Sequence, residues 1–110
     1  LAKNLRVSTL TIANGATTSS TLTLENNRVP LAVITPSAMT GSTLTFQASD
    51  DGSTFYPLFN EGSSYSLTIS TSVARHYGLA RQPMEGVKYF QVVSGSTEGA
   101  SRTIKVISGE

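Results

Sequence analysis

The 110-residue chain has no cysteine and no tryptophan. Without cysteine it can build neither a disulfide framework nor a thiolate metal centre, so its stability must come from packing, hydrogen bonding or association. Charge is also scarce: 14% of residues are ionisable Asp, Glu, Lys or Arg, against about 25% in ordinary soluble domains. The net charge is +1, and the eight basic residues are scattered from Lys3 to Lys105 with no basic run interleaved with aromatics. Such a chain sets up no field to attract a polyanion, and no nucleic-acid partner is expected. No apolar run approaches the roughly 20 residues that span a bilayer, and the start lacks a signal-peptide pattern, so a soluble protein with no membrane partner is expected. The chain begins at Leu1 rather than Met, from which processing or further upstream residues are expected.

Catalytic constellations are equally sparse. His76 is the only histidine, so any imidazole chemistry must use it. No acid follows it in a recognisable motif, and no serine sits in a G-x-S-x-G elbow, so His76 reads as a surface or partly packed side chain. The glycines fall singly between extended stretches, and none precedes a helix in a phosphate-cradling motif. Asp50 and Asp51, with Glu61 further on, could supply carboxylates for hydrolysis or a weak calcium site. However, adjacent aspartates before Gly52 are explained more simply as turn formers, because Asx-type bonding needs no ligand. Neither an enzyme, a cofactor nor a metal site is expected, and no catalytic residue is assigned.

What the sequence does contain is alternation. In LTFQASDDGSTFYPLF, residues 44–59, Leu44, Phe46 and Ala48 fall on one face of an extended strand and Thr45, Gln47 and Ser49 on the other. Asp50, Asp51 and Gly52 then reverse the chain into Thr54 to Phe59, giving a β-hairpin. Before it, Lys3 to Ala13 places Leu5 and Val7 in one register and Leu10 and Ile12 in the other, which predicts a bulge near Ser8 and Thr9. Asn14-Gly15 makes a turn, Thr21 to Glu25 forms a strand with Leu22 and Leu24 inward, and Asn26, Asn27 and Arg28 turn again. Leu31 to Ile34, bracketed by Pro30 and Pro36, reads as a short strand near an edge.

After the hairpin, Asn60 to Gly62 turns the chain into Ser64 to Ser70, where Tyr65, Leu67 and Ile69 alternate with hydroxyls. Val73 to Leu79 forms a further strand, and Ala80 to Gly86 connects around Pro83. Val87 to Val93, rich in β-branched and aromatic residues, is the expected central strand. Ser94 to Ser101 reads as a flexible hairpin loop, and Arg102 to Ser108 closes the chain with Ile104 and Val106 inward. Eight or nine short strands with no long amphipathic helix predict a single all-β domain over residues 1–110, an antiparallel sandwich or barrel, with the β-sandwich favoured and a jelly-roll arrangement fitting the count.

Phe46, Phe55, Phe59 and Phe90 are expected in the core, while Tyr56, Tyr65, Tyr77 and Tyr89 can bury a ring and leave the hydroxyl wet. Exposed rings could also stack on a sugar. Ser-Thr-Leu-Thr recurs at 8–11, 20–23 and 42–45, at intervals too uneven for a structural repeat. The alternation puts Thr and Ser outward, a surface that can be solvated or can become an interface.

The hairpin 44–59, followed by GVKYFQVVSGS at 86–96 and the terminal RTIKVIS, resembles small virion proteins of tailed bacteriophages. The shared features are a strand with F-Q-x-S, a D-G turn, an aromatic, and a later G-x-x-Y strand leading to S-G-S and a closing R-x-I. The resemblance covers the last two-thirds of the chain and implies a non-enzymatic capsid decoration or cement protein. It would be made in the host cytoplasm, sit on the capsid exterior, bind the major capsid protein or other virion proteins, and associate as a homo-oligomer, trimer or dimer. A receptor-binding or carbohydrate-binding module of a tail or fibre is the alternative, and an adhesion domain a third. The contact residues are not assignable from the sequence.

Overall fold

A computed structural model describes residues 5–25 and 28–110. The expected turn at Asn26 and Asn27, and the start of the first strand at Lys3 and Asn4, lie outside the described residues. The chain forms an antiparallel β-sandwich. One sheet runs in the order β1 (Arg6–Ile12), β11 (Arg102–Gly109), β3 (Val29–Ile34), β9 (His76–Gly78). The other runs β2 (Leu22–Thr23), β10 (Tyr89–Ser94), β4 (Thr43–Ser49), with β5 (Tyr56–Pro57) and β8 (Ser66–Thr68) both paired to the far side of β4. Between β5 and β8, β6 (Phe59–Asn60) and β7 (Ser63–Ser64) make a small hairpin of their own. Its turn residues Glu61 and Gly62 both take positive φ, 53° and 86°, as a two-residue turn matched to strand twist requires. The helical content described is one turn, α1 (Arg81–Met84), and no described helix is long and apolar enough to cross a membrane.

The period-two reading fixes the core. Leu44, Phe46, Phe90 and Val92 from one sheet meet Leu10, Ile12, Val33, Ile104 and Val106 from the other, all at most 1% exposed. Phe46 and Phe90 stack with centroids 5.4 Å apart and planes 15° from parallel, and Tyr65 tilts onto Phe46 at 5.6 Å. Full burial of each such side chain stabilises the fold by about 1.5–3 kcal/mol. Met84 of α1 fills one end of this core with no exposed surface. The central position expected for Val87 to Val93 is observed, since β10 lies between β2 and β4.

Three expectations are corrected. β1 carries no bulge: it pairs with β11 in unbroken register from Arg6 opposite Ser108 to Ile12 opposite Arg102. The apparent switch of register arises because Leu10 and Ile12 point inward while Leu5 and Val7 remain outside, 48% and 60% exposed. β3 lies between β11 and the three-residue edge strand β9, near an edge as expected. Pro30 is accommodated because β11 shifts register between Ile107 and Ser108, and Arg28 Nη1 donates to the Ser108 carbonyl at 3.2 Å. Phe59 is 55% exposed, on the excursion hairpin rather than in the core, and Phe55 is only half-buried. Finally, the loop after β10 is pinned rather than flexible, as described next.

Candidate functional surfaces

At one end of the sandwich the loops β1–β2, β3–β4 and β10–β11 meet around Glu98. Its carboxylate is buried, with no side-chain exposure. Oε1 accepts from Thr40 N at 2.8 Å and Arg102 Nε at 2.9 Å, and Oε2 accepts from Gly41 N at 3.0 Å and Ser94 Oγ at 2.6 Å. Its backbone is held as firmly, because Glu98 N donates to Ala16 O at 3.0 Å and Gly15 N donates to Glu98 O at 2.8 Å. Thr40 Oγ1 extends the network by accepting from Gly99 N and Arg102 Nη2. Burial is the largest single influence on Glu98 and pushes its pKa up. The bonds from Ser94, Thr40, Gly41 and Arg102 together outweigh it and lower the pKa from 4.5 to about 2. A β-carbon at Gly41 would collide with Ser94 Oγ and crowd the backbone of Gly95 and Ser96. Only glycine lets the two loops approach closely enough to share the carboxylate.

The hairpin that drew attention to Asp50 and Asp51 is a self-contained turn. Asp51 Oδ1 accepts from Ser53 N at 2.8 Å, Thr54 N at 3.0 Å and Ser49 Oγ at 3.0 Å, while Ser49 Oγ accepts from Gly52 N at 2.9 Å. The backbone bonds from Thr54 and Ser53, followed by the Ser49 hydroxyl, lower its pKa. Gly52 takes φ 81° against the Tyr89 ring. Asp51 therefore acts as the turn former expected. His76 sits exposed on β9 opposite Ile34, with no hydrogen-bond or ion-pair partner among the described residues. Among the described residues no three His, Asp or Glu side chains group as a metal site would require.

Two of the tyrosine hydroxyls are structural rather than wet: Tyr65 accepts from Ala80 N and Tyr77 from Ser70 N, both at 2.9 Å. Tyr56 differs, being 61% exposed. It borders a hollow of about 560 Å³ lined also by Asp50, Pro57 and Lys88. Through Gly86 and Lys88 this hollow adjoins a cleft of about 690 Å³ lined by Glu25, Arg81, Glu85 and Tyr89. The cleft carries both signs of charge. Arg81 and Glu85 pair at 3.3 Å across its rim, and Lys88 Nζ lies 5.6 Å from the Tyr89 ring centroid.

The outer faces of the two sheets differ. That of the β2–β10–β4–β8 sheet presents Thr23, Tyr89, Gln91, Val93, Thr43, Thr45, Gln47, Ser66 and Thr68, with no Asp, Glu, Lys, Arg or His among them, although the Lys88 ammonium lies over the Tyr89 ring at one end. Gln91 Nε2 donates to Thr21 Oγ1 at 2.9 Å and ties part of this face into a fixed array. The outer face of the other sheet carries Val7 beside Ile107, and Thr9 beside Lys105 beside Ile34. Sequence reasoning anticipated the hydroxyl face from alternation alone. It missed the apolar one, because a bulge was expected to turn Leu5 and Val7 inward. Glu98 was missed altogether: its partners Thr40 and Gly41 lie 58 and 57 residues away in the chain. The sole local signal is Arg102, four residues later.

No protein-family model matches the chain, and a search of curated proteins finds no match.

Proposed function

We propose that this chain is a non-enzymatic structural protein of a tailed-phage virion, of the decoration or cement type, that binds the head's exterior and reinforces it. The reading rests on the resemblance carried by residues 44–59, 86–96 and the terminal strand. One structural observation supports it: away from the Tyr89 end, where the Lys88 ammonium lies, the broad outer face of the β2–β10–β4–β8 sheet carries no charge and is rich in hydroxyl and amide groups. Such a face costs less to desolvate than a charged one, because no ion must be stripped of water, provided its hydroxyl and amide groups regain hydrogen bonds on the partner. It can trade water for hydrogen bonds on a neighbour, here the major capsid protein. The mechanism is mass action. A protein that binds the assembled shell and not its free subunits stabilises the shell by RT ln(1 + [L]/Kd), about 2.7 kcal/mol at one hundred times Kd. Symmetric association, as a dimer or trimer, would let one particle bridge several capsid subunits.

The test uses the head proteins encoded beside this chain's gene. The purified protein should co-sediment with expanded empty capsids and raise their melting temperature, and Thr45→Lys with Gln91→Lys should weaken both effects by placing charge on the docking face. Capsids that neither retain the protein nor melt higher in its presence would sink the proposal.

A tail or fibre module that binds a glycan is the second reading. It is favoured by Tyr56, whose exposed ring borders a hollow with Asp50 and Lys88: a flat ring for stacking and ionic groups for hydroxyls. Binding on a glycan array that is lost in Tyr56→Ala would select it over the capsid reading.

A further inference from the structure

The outward edge of β1 is an open strand edge. Thr11 N donates to Ser20 Oγ at 3.2 Å and Thr11 O accepts from Ser20 N at 3.0 Å, so the Thr11 backbone points away from β11. In an antiparallel ladder the direction alternates, and Val7 and Thr9 therefore point the same way as Thr11. Among the described residues nothing pairs with the backbone of either. The segment through Ser19 and Ser20 covers only the far end of the edge, because it leaves to bond Val92 in the other sheet. The open stretch is Leu5 to Thr9.

Natural edges are usually blunted by proline, a bulge, an inward charge or a lysine. This one has no proline, bulge or lysine, and its only charge is Arg6, exposed at its start in the register of the inward-facing Leu10 and Ile12. Its register against β11 is unbroken, and its outer face carries Val7 and Leu5, 60% and 48% exposed, with Ile107 directly beside Val7. An apolar strip thus runs alongside a row of unpaired backbone donors and acceptors, the two components of recognition by strand addition.

We propose that this edge pairs antiparallel with the same edge of a second copy, about a two-fold axis at Val7. The open stretch is symmetric in that register. Val7 and Thr9 carry outward-pointing backbone groups and Leu5, just before β1, continues the same alternation, so centring the axis on Val7 matches all three. Val7 pairs with Val7, Leu5 with Thr9, and six N–H···O=C bonds form. Arg6 then faces Ser8, so no like charges stand directly opposite one another. The two four-stranded sheets join into one of eight strands, and the Val7 side chains cover each other beside Ile107. A contact confined to one strand edge buries less than the roughly 1,200 Å² of a standard interface. The dimer is therefore weak and concentration-dependent. It does not depend on the virion reading, since it uses the opposite sheet from the uncharged face.

Because the chain has no cysteine, single-cysteine variants report the register directly. Paired residues that exchange hydrogen bonds lie about 5.5 Å apart at Cα, within the roughly 4.4–6.8 Å that a disulfide spans. Under mild oxidation Val7→Cys should cross-link at least tenfold faster than Thr11→Cys, which shares its face but has an occupied edge. Sedimentation equilibrium up to about 1 mM, the range of millimolar dissociation constants, should show a monomer–dimer equilibrium. Val7→Lys and Val7→Pro should each weaken it at least tenfold without changing the monomer's melting temperature. Proline is tolerated there because the Val7 N–H takes no part in the ladder. A wild-type monomer over the whole range, equal cross-linking at positions 7 and 11, a trimer, or a dimer indifferent to both substitutions would each overturn the proposal.

Discussion

Replacing Glu98 by glutamine, and separately lowering the pH, should expose how much of this fold hangs on one carboxylate. The ionised group accepts four hydrogen bonds at 2.6–3.0 Å while fully buried. Its pKa of about 2, against 4.5 unperturbed, is a free-energy difference of about 3 kcal/mol. The folded-state pKa is the lower one, so the stabilisation is complete above pH 4.5 and drains away as the pH falls toward 2. Glutamine keeps the shape but turns one acceptor oxygen into an NH₂ donor. Either the pair Thr40 N and Arg102 Nε, or the pair Gly41 N and Ser94 Oγ, then meets a donor. Ser94 can rotate to accept, but a backbone N–H cannot. Near pH 7 the variant should lose about 3 kcal/mol, which for a domain of this size lowers the melting temperature on the order of 15 °C. Thermal melts of wild type and Glu98→Gln across the acid range provide the assay. The gap between them should narrow as pH falls below 4.5, because the wild type alone has the Glu98 carboxylate to protonate. Asp51 titrates in the same direction but is present in both proteins and cancels. Equal stability near neutrality, or a gap that stays constant into strong acid, would refute the reasoning.

Two further outcomes follow from the packing. Phe90→Ala removes a ring with no exposed surface that stacks on Phe46, and chemical denaturation should show a loss of about 3–5 kcal/mol. Gly41→Ala, whose added methyl would strike Ser94 Oγ, should cost about 1–3 kcal/mol from overpacking, whereas Gly86→Ala, with open space around it, should melt like the wild type.

The sequence carried the fold's inward and outward assignments well wherever strands have one wet face. Leu44 with Phe46, Leu67 with Ile69, and Ile104 with Val106 all point where alternation placed them, because a one-residue slip would have exposed each whole set. The reading failed where local pattern and tertiary role part company. At β1 two apolar pairs in opposite registers were reconciled by a bulge, since four apolar residues in a short strand were assumed to be buried together. The stretch Ser94–Ser101 looked mobile because small polar residues ordinarily are. Glu98 makes it the most firmly tied loop described, through partners that only the closed sandwich brings near.

These two surprises bear on one another. The loop end of the sandwich is locked by Glu98 and Arg102, whose polar groups are spent on each other and on the backbone, leaving little there with which to grip a partner. The unspent bonding capacity lies elsewhere, on the uncharged sheet face and along the Leu5–Thr9 edge. With a net charge of +1, the molecule has almost no long-range repulsion to keep such an edge from meeting others of its kind. An apolar edge guarded only by Arg6, on a nearly neutral protein, is stable in solution only if contact there is limited. A two-fold pairing limits it, because each edge consumes the other and offers no further strand to join. The same geometry sets the orientation of any larger assembly. Two uncharged faces, one per protomer, would be held at a fixed angle by the shared sheet, and a lattice receiving both would gain the avidity that neither weak face supplies alone.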